Sequence, residues 1–172
     1  RKQCDGVIKM VYDVTKAIDP TRPCIDTSGN FHVVTDIFDV HDYNQEPHTF
    51  IENYKDGKLN CQIARDVKHR GRQTYDGKLP AFISEYGGTR WAAAGDSCWG
   101  YGKAPENAEE FFERYKGLTE AILFNENIMG FCYTQLYDVE QEVNGLMTYD
   151  RKFKFDPEIF RKINTQKAAI ED

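Results

Sequence analysis

Leu79-Pro80-Ala81-Phe82-Ile83-Ser84 runs without a break into Glu85-Tyr86-Gly87-Gly88. The first six positions are short and apolar. They are bounded by Asp76-Gly77 on one side and Gly87-Gly88 on the other, the pattern of a buried strand between two turns. Glu85 stands where that strand is expected to end. A carboxylate carried on from an apolar strand is partly withdrawn from water, so it must be paired or used. The glycines that follow let backbone approach closely. On residue type alone, a structural ion pair explains Glu85 somewhat better than chemistry does, because acids at strand ends commonly serve structure.

Outward from that strand, the upstream chain opens in helical rhythm. Val7, Ile8, Val11, Val14 and Ile18 recur at three and four residues. Asp19-Pro20 stops this helix, since a residue before proline avoids the α region. After the turn Thr21-Arg22-Pro23, Cys24 to Ser28 reads as a short strand and Asp36 to His41 as a second. Thr49 to Lys55 is helix-like up to Asp56-Gly57, and Leu59, Ile63, Ala64 and Val67 suggest a further helical piece. Downstream, Thr89 to Pro105 is a loop rich in Gly, Ala and Trp. Asn107 with Glu110 three residues on resembles a capping box. It opens a helix with the apolar stripe Phe111, Phe112, Tyr115, Leu118 and Ile122. Ile128 to Tyr133 reads as a fourth strand, and Asp156-Pro157 starts a last helix after a loop from Gln135 to Phe155. Strands separated by helices imply an α/β fold with a parallel sheet. Nothing marks an internal boundary, so residues 1–172 are taken as one unit.

Composition narrows the function classes. The net charge of −6 lacks the clustered basic residues of a nucleic-acid footprint and gives no reason to expect an anionic membrane partner. No run of about 18 apolar residues exists, as a membrane span would need. Arg1-Lys2-Gln3-Cys4-Asp5 shows no apolar signal-peptide region, although a longer parent could carry one upstream. The five cysteines, Cys4, Cys24, Cys61, Cys98 and Cys132, are widely spaced and odd in number. They read as reduced structural thiols in a cytoplasmic protein, or in a periplasmic or secreted one if the parent has a signal peptide. The four histidines, His32, His41, His48 and His69, have no ligand spacing, so neither a metal nor another cofactor is expected.

In parallel α/β folds, function collects at the carboxyl ends of strands. The four expected strands end in Asp26-Thr27-Ser28, His41-Asp42-Tyr43, Ser84-Glu85-Tyr86 and Tyr133-Thr134-Gln135. One polar ending is weak evidence, but four at the same end point to a shared active face.

Pro80 to Gly88 resembles the nucleophile segment of glycoside hydrolase family 2, the β-galactosidase/β-glucuronidase family, in which a glutamate ends the seventh strand of a (β/α)8 TIM barrel. Gly130-Phe131-Cys132-Tyr133-Thr134-Gln135-Leu136-Tyr137-Asp138-Val139-Glu140-Gln141-Glu142 resembles that family's eighth strand and following loop, and Asn144 to Lys152 continues the likeness. Asp19 to Pro23 fits the approach to the fifth strand. The resemblance implies the C-terminal half of a catalytic TIM barrel, with strands five to eight at Cys24, Ile37, Ala81 and Ile128. It implies a retaining exo-β-glycosidase, β-galactosidase-like, with Glu85 as nucleophile. Tyr43 would hold that carboxylate, and His41 would bond a sugar hydroxyl or orient Asp42. Tyr133 would stack under the sugar ring, Trp91 and Trp99 would line an aglycone platform, and Gln135 would contact a sugar hydroxyl.

The family's acid/base is the glutamate of an Asn-Glu pair closing strand four, which on this alignment precedes Arg1. Asn125-Glu126 lies at the opposite face of the sheet and cannot substitute. The implied partners are therefore a carbohydrate substrate together with the parent's N-terminal half-barrel and β-sandwich domains. Half a barrel also exposes two parallel edges, which could pair two copies as a homodimer. The competing expectation is a carbohydrate-binding or interaction module that kept the barrel face and lost its chemistry.

Overall fold

The strands form where β-branched and aromatic residues alternate with residues that can face an open side. The computed structural model describes residues 4–29, 31–59, 72–92 and 98–171. Its centre is a three-stranded parallel sheet in the order β1 (Phe38–Asp42), β2 (Ala81–Gly87) and β3 (Ile128–Thr134). The helices are α1 (Asp5–Ile18), α2 (Pro47–Tyr54), α3 (Ala108–Leu123) and α4 (Pro157–Asn164). The expected helical piece at Ile63, Ala64 and Val67 lies outside the described residues.

One face of the sheet is packed. Phe38 and Val40 of β1, Ala81, Ile83 and Tyr86 of β2, and Ile128 of β3 meet Phe50 and Tyr54 of α2 and Leu118 and Ile122 of α3. The Phe, Val, Ile and Leu side chains among them each contribute about 1.5–3 kcal/mol on burial. A second cluster joins Phe111 and Tyr115 of α3 to Phe160 and Ile163 of α4, with Trp91 and Phe155 against it. The helix starts follow their sequence signals. Asn107 Oδ1 accepts from Glu110 N at 2.8 Å, and Asp156 Oδ1 accepts from Glu158 N at 3.0 Å.

Two expectations change. Cys24 to Ser28 is not a strand. Its neighbourhood is wired through side chains instead: Cys24 N donates to Asp36 Oδ2, and the Asp26 carboxylate takes the N–H groups of Thr27, Val33 and Val34. With Cys24 N and Thr27 N spent in this way, the segment forms no ladder with β1, which is tied instead to the following Gly29 by His41 N donating to Gly29 O at 3.3 Å. The second change concerns α1. The helix forms as its spacing predicts, yet no residue of it is buried, and Val7, Met10, Val11, Val14 and Ile18 all stand exposed. Its contacts run through polar groups, with Tyr12 Oη donating to Asp36 at 2.6 Å and Lys16 pairing with Asp36 at 2.9 Å.

A buried charge network fixes the segment before β1. His32 Nδ1 lies 2.7 Å from Asp26 Oδ1, and His32 Nε2 lies 2.9 Å from the Asp39 carbonyl and 3.3 Å from Asp39 Oδ1. A carbonyl and a carboxylate can only accept, so both ring nitrogens carry protons. Burial works against the charged imidazole. The Asp26 hydrogen bond, the Asp39 carbonyl and the two carboxylate charges outweigh it and hold His32 above the usual histidine range. Burial likewise pushes Asp26 up, but His32 and three backbone N–H groups prevail and hold it below the usual carboxylate range.

The two shifts act in opposite directions. The His32 contribution is complete below pH about 6.5 and is lost as pH rises through its raised folded value. The Asp26 contribution is complete above pH about 4 and is lost as pH falls through its lowered folded value. Thermal melts followed by circular dichroism should therefore give a plateau between these limits and a falling melting temperature above it. His32→Gln should melt lower on the plateau and lose that alkaline fall; a wild-type midpoint unchanged up to pH about 9 would contradict the assignment.

Candidate active site at the carboxyl end of the sheet

Strand parity builds the open face. In β1, Phe38, Val40 and Asp42 turn toward the helices, where Asp42 Oδ2 accepts from Tyr54 Oη at 2.8 Å. Asp39, His41 and the following Tyr43 therefore turn to the other side. In β2 the alternation breaks. Val40 pairs with Ile83 and His41 with Glu85, so β2 holds one residue more than β1 at this point. β3 registers the same excess, pairing Phe131 with Ile83 and Tyr133 with Tyr86. This bulge keeps Ile83 and Tyr86 both in the packed core while Ser84 and Glu85 are both left half-buried. The strand does not stop at Ser84 as its apolar run suggested. It continues to Gly87, and Glu85 lies within it.

Glu85 is held by two side chains on one oxygen. Tyr43 Oη donates to Glu85 Oε2, and His41 Nδ1 lies 3.4 Å from the same atom. The carboxylate keeps 37% of its exposure, so it is gripped yet reachable. His41 is steadied from behind, with Nε2 3.0 Å from Ser28 Oγ. Ser28 in turn donates to Asp39 Oδ2 at 2.7 Å, and Ser84 Oγ donates to that same oxygen. A continuous polar chain thus runs from the buried Asp26–His32 pair through Asp39 and Ser28 to His41 and Glu85.

Tyr43 has its own support. Its ring stacks on Tyr101 with centroids 3.6 Å apart and planes 10° from parallel. Both rings lie over Gly88, where a Cβ would come within 2.5 Å of Tyr101 and 3.4 Å of Tyr43, and whose φ of +62° also disfavours other residues. Gln45, buried beneath, donates to Gly87 O at 2.6 Å and to Tyr43 O at 3.1 Å and accepts from Thr89 Oγ1. Burial pushes the Tyr101 phenol up, and the charges of Glu85 and Glu142 add to the effect.

The other expected site residues lie elsewhere. Tyr133 turns inward: its ring meets Tyr86 at 5.4 Å and Tyr115 at 4.8 Å, and it covers Gly87, where a Cβ would fall 2.2 Å from it. Burial drives its phenol upward. Trp91 packs on Phe111 and Phe155 in the second cluster, and Lys154 Nζ donates to its carbonyl, so it pins the loop to the core. Gln135 bonds backbone, donating to Glu142 O at 3.5 Å and accepting Leu146 N at its carbonyl. Glu85, Tyr43 and His41 come together; Tyr133, Trp91 and Gln135 do not join them.

Sequence reasoning missed Asp39 and Tyr101, and it placed Ser28 and Ser84 at the active face without giving either a role. The period-two spacing of Asp39, His41 and Tyr43 was a usable signal for Asp39. Trp99-Gly100-Tyr101-Gly102, an aromatic–glycine alternation after a strand end, was one for Tyr101. Among the described residues, no group of three or more His, Cys, Asp and Glu side chains is placed to hold a metal ion. Among them too, no helix is long and apolar enough to cross a membrane.

No protein-family model matches the chain, and no curated protein matches it. Solved structures do. A family 2 (GH2) β-galacturonidase from Eisenbergiella tayi, bound to glycerol, superposes with a TM-score of 0.65 and 17% identity over 95% of this chain and 30% of that one. A β-glucuronidase from an uncultured Clostridium sp. gives 0.62 and 14% over 94% of this chain and 30% of that one. A β-D-glucuronidase from Dictyoglomus thermophilum gives 0.59 and 16% over 95% and 29%. The fold is like that found within family 2 glycoside hydrolases, and the chain spans less than a third of the length of these proteins.

Gly88→Ala tests the seat of the Tyr43–Tyr101 stack. The added methyl meets the Tyr101 ring and forces an L-residue into positive φ. Urea denaturation should show a loss of about 1–3 kcal/mol; an unchanged midpoint would contradict the packing described.

Proposed function

We propose that this chain is the nucleophile-bearing part of the catalytic (β/α)8 barrel of a retaining β-glycosidase, with Glu85 as the nucleophile. The observation that carries the reading is the Glu85 carboxylate, half-exposed near the carboxyl end of a parallel strand and held on one oxygen by Tyr43 and His41. On this reading β1, β2 and β3 are the sixth, seventh and eighth strands of the barrel, and Cys24 to Ser28 takes the fifth strand's place.

The chemistry asks for a carboxylate that is ionised, oriented and reachable. Tyr43 supplies a donor that aims one oxygen, leaving the other to attack. Attack by Glu85 on the anomeric carbon forms a glycosyl ester. The glycosidic C–O bond breaks, its electron pair leaves with the aglycone oxygen, and an acid protonates that oxygen. Water then hydrolyses the ester with the same group acting as base. We assign the acid to a glutamate in the parent's fourth strand, roughly 5–5.5 Å from Glu85, as retaining geometry requires. The parent's N-terminal half-barrel would also cover the apolar stripe of α1 and the open sheet edge; a second copy of the chain is the alternative cover. Two of the fold neighbours are a β-galacturonidase and a β-glucuronidase, which supports hexuronides beside galactosides as candidate substrates.

A 2,4-dinitrophenyl β-glycoside needs no acid to expel its leaving group, so it isolates the nucleophile. The chain should release dinitrophenolate slowly from the matching glycoside, and Glu85→Gln should cut that rate by roughly 10²-fold or more. Equal rates in the two proteins would contradict the role and favour a non-catalytic carbohydrate-binding module.

A further inference from the structure

His41 faces Glu85 with one ring nitrogen and Ser28 with the other, so what it does depends on which nitrogen carries a proton. Ser28 settles that. Its hydroxyl has one proton to give and stands 2.7 Å from Asp39 Oδ2 and 3.0 Å from His41 Nε2. The Asp39 carboxylate can only accept, and the same oxygen also accepts from Ser84 Oγ. The Ser28 proton therefore goes to Asp39, and the Ser28 oxygen is left as an acceptor. Its donor at 3.0 Å is the Nε2–H of His41.

Turning the ring over would bring carbon atoms to Ser28 and Glu85 in place of both nitrogens. The ring also lies tightly on the preceding segment, since a Cβ at Gly29 would fall 2.1 Å from His41 Cδ2. Nδ1 is thus the atom turned to Glu85 Oε2, at 3.4 Å. In the neutral ring, with its proton on Nε2, Nδ1 holds a lone pair, which a carboxylate oxygen cannot bond. In the charged ring Nδ1 gains a proton and becomes a donor. The contact is longer than the roughly 2.7–2.9 Å of a charge-assisted N–H···O bond, so it has room to close on protonation.

The other groups around the ring are few. Tyr43 meets it edge-on at 6.2 Å, with Tyr101 stacked behind. Asp39 stands behind Ser28, and the Asp26–His32 pair stands behind Asp39. Asp42 turns to the packed side and bonds Tyr54.

We infer that Ser28, held by Asp39, fixes the proton of the neutral His41 ring on Nε2, so that His41 grips Glu85 only while the ring is charged. Ser28 and Asp39 are positioning residues that act on the carboxylate through His41. The effect on turnover rests on the glycosidase reading above. As pH rises, the Nδ1 proton leaves to solvent, Glu85 keeps the Tyr43 donor and loses the His41 donor, and its orientation loosens. The grip is present below the titration of His41 and lost above it.

Ring 15N shifts of His41, read from long-range 1H–15N NMR spectra across roughly pH 5–8, report the tautomer directly. The wild-type neutral ring should carry its proton on Nε2. Ser28→Ala removes the acceptor and should move that proton toward Nδ1, where Glu85 accepts it. Ser28→Thr keeps the hydroxyl and should restore the wild-type shifts. Ser28 is exposed, so both variants should fold, which thermal melts verify. In parallel, the wild-type rate on the matching 2,4-dinitrophenyl glycoside should fall about tenfold as the 15N shifts report loss of the Nδ1 proton, and Ser28→Ala should remove most of that fall. A wild-type neutral ring protonated on Nδ1, or wild-type shifts in Ser28→Ala, overturns the inference. A rate without that step in the wild type, or with the step intact in Ser28→Ala, overturns the grip on Glu85 and leaves the glycosidase reading standing. No turnover by any of the three proteins overturns that reading, while the nitrogen shifts still decide the tautomer.

Discussion

One extra residue in β2 organises the site. A strictly alternating strand would put Ile83 and Glu85 on the same face and Tyr86 on the other. Because β2 carries one residue more than either neighbour between Ile83 and Tyr86, Ile83 and Tyr86 both stay in the core, and Ser84 and Glu85 are both released to the open side. Bulges are uncommon between parallel strands and tend to re-aim side chains near functional sites. Here the bulge brings Glu85 opposite His41 and within reach of Tyr43, while Ser84 falls to Asp39. Without it, the carboxylate would face the packed side, where Phe50 and Leu118 offer it no partner.

The open face has two kinds of support. On one side it is polar and buried: His32, charged between Asp26 and Asp39, fixes the segment that carries Ser28, and Ser28 steadies His41. Breaking such a network by removing one member is costly, because a buried charge then lacks its partner. On the other side it is aromatic, with Tyr101 backing Tyr43 over Gly88. Glu85 is held between a rigid charge network and a rigid ring stack. On the function proposed for Glu85, that arrangement is preorganisation: the carboxylate is oriented before a ligand arrives.

The sequence made the strongly patterned elements legible. The apolar run at Ala81 to Ile83, the strand from Ile128, the cap at Asn107 and the start at Asp156-Pro157 each carry a local signal that tertiary contacts did not overrule. Cys24 to Ser28 misled because its β-like composition competes with side chains that capture its backbone donors, Asp36 taking Cys24 N–H and Asp26 taking Thr27 N–H. The α1 stripe was read correctly as helical, but spacing carries no information about which surface covers it. Tyr133 was assigned to a sugar because its place on the fourth expected strand resembles the family's eighth-strand aromatic. Its ring instead fills the space over Gly87, a contact fixed by β2 rather than by its own neighbours. The bulge has no local marker, and that is why Glu85 was placed at a strand end when it lies inside the strand.

The central claim is that Glu85 is the carboxylate that bonds to the sugar. Incubation with 2-deoxy-2-fluoro-β-glycosyl fluorides, whose leaving group needs little help and whose ester intermediates turn over slowly, followed by proteolysis and mass spectrometry, reads that directly. A single fluoroglycosyl group on the peptide containing Glu85, carried by that side chain, is the expected result. A sugar carried by any other carboxylate, such as Glu142 or Asp42, would contradict it.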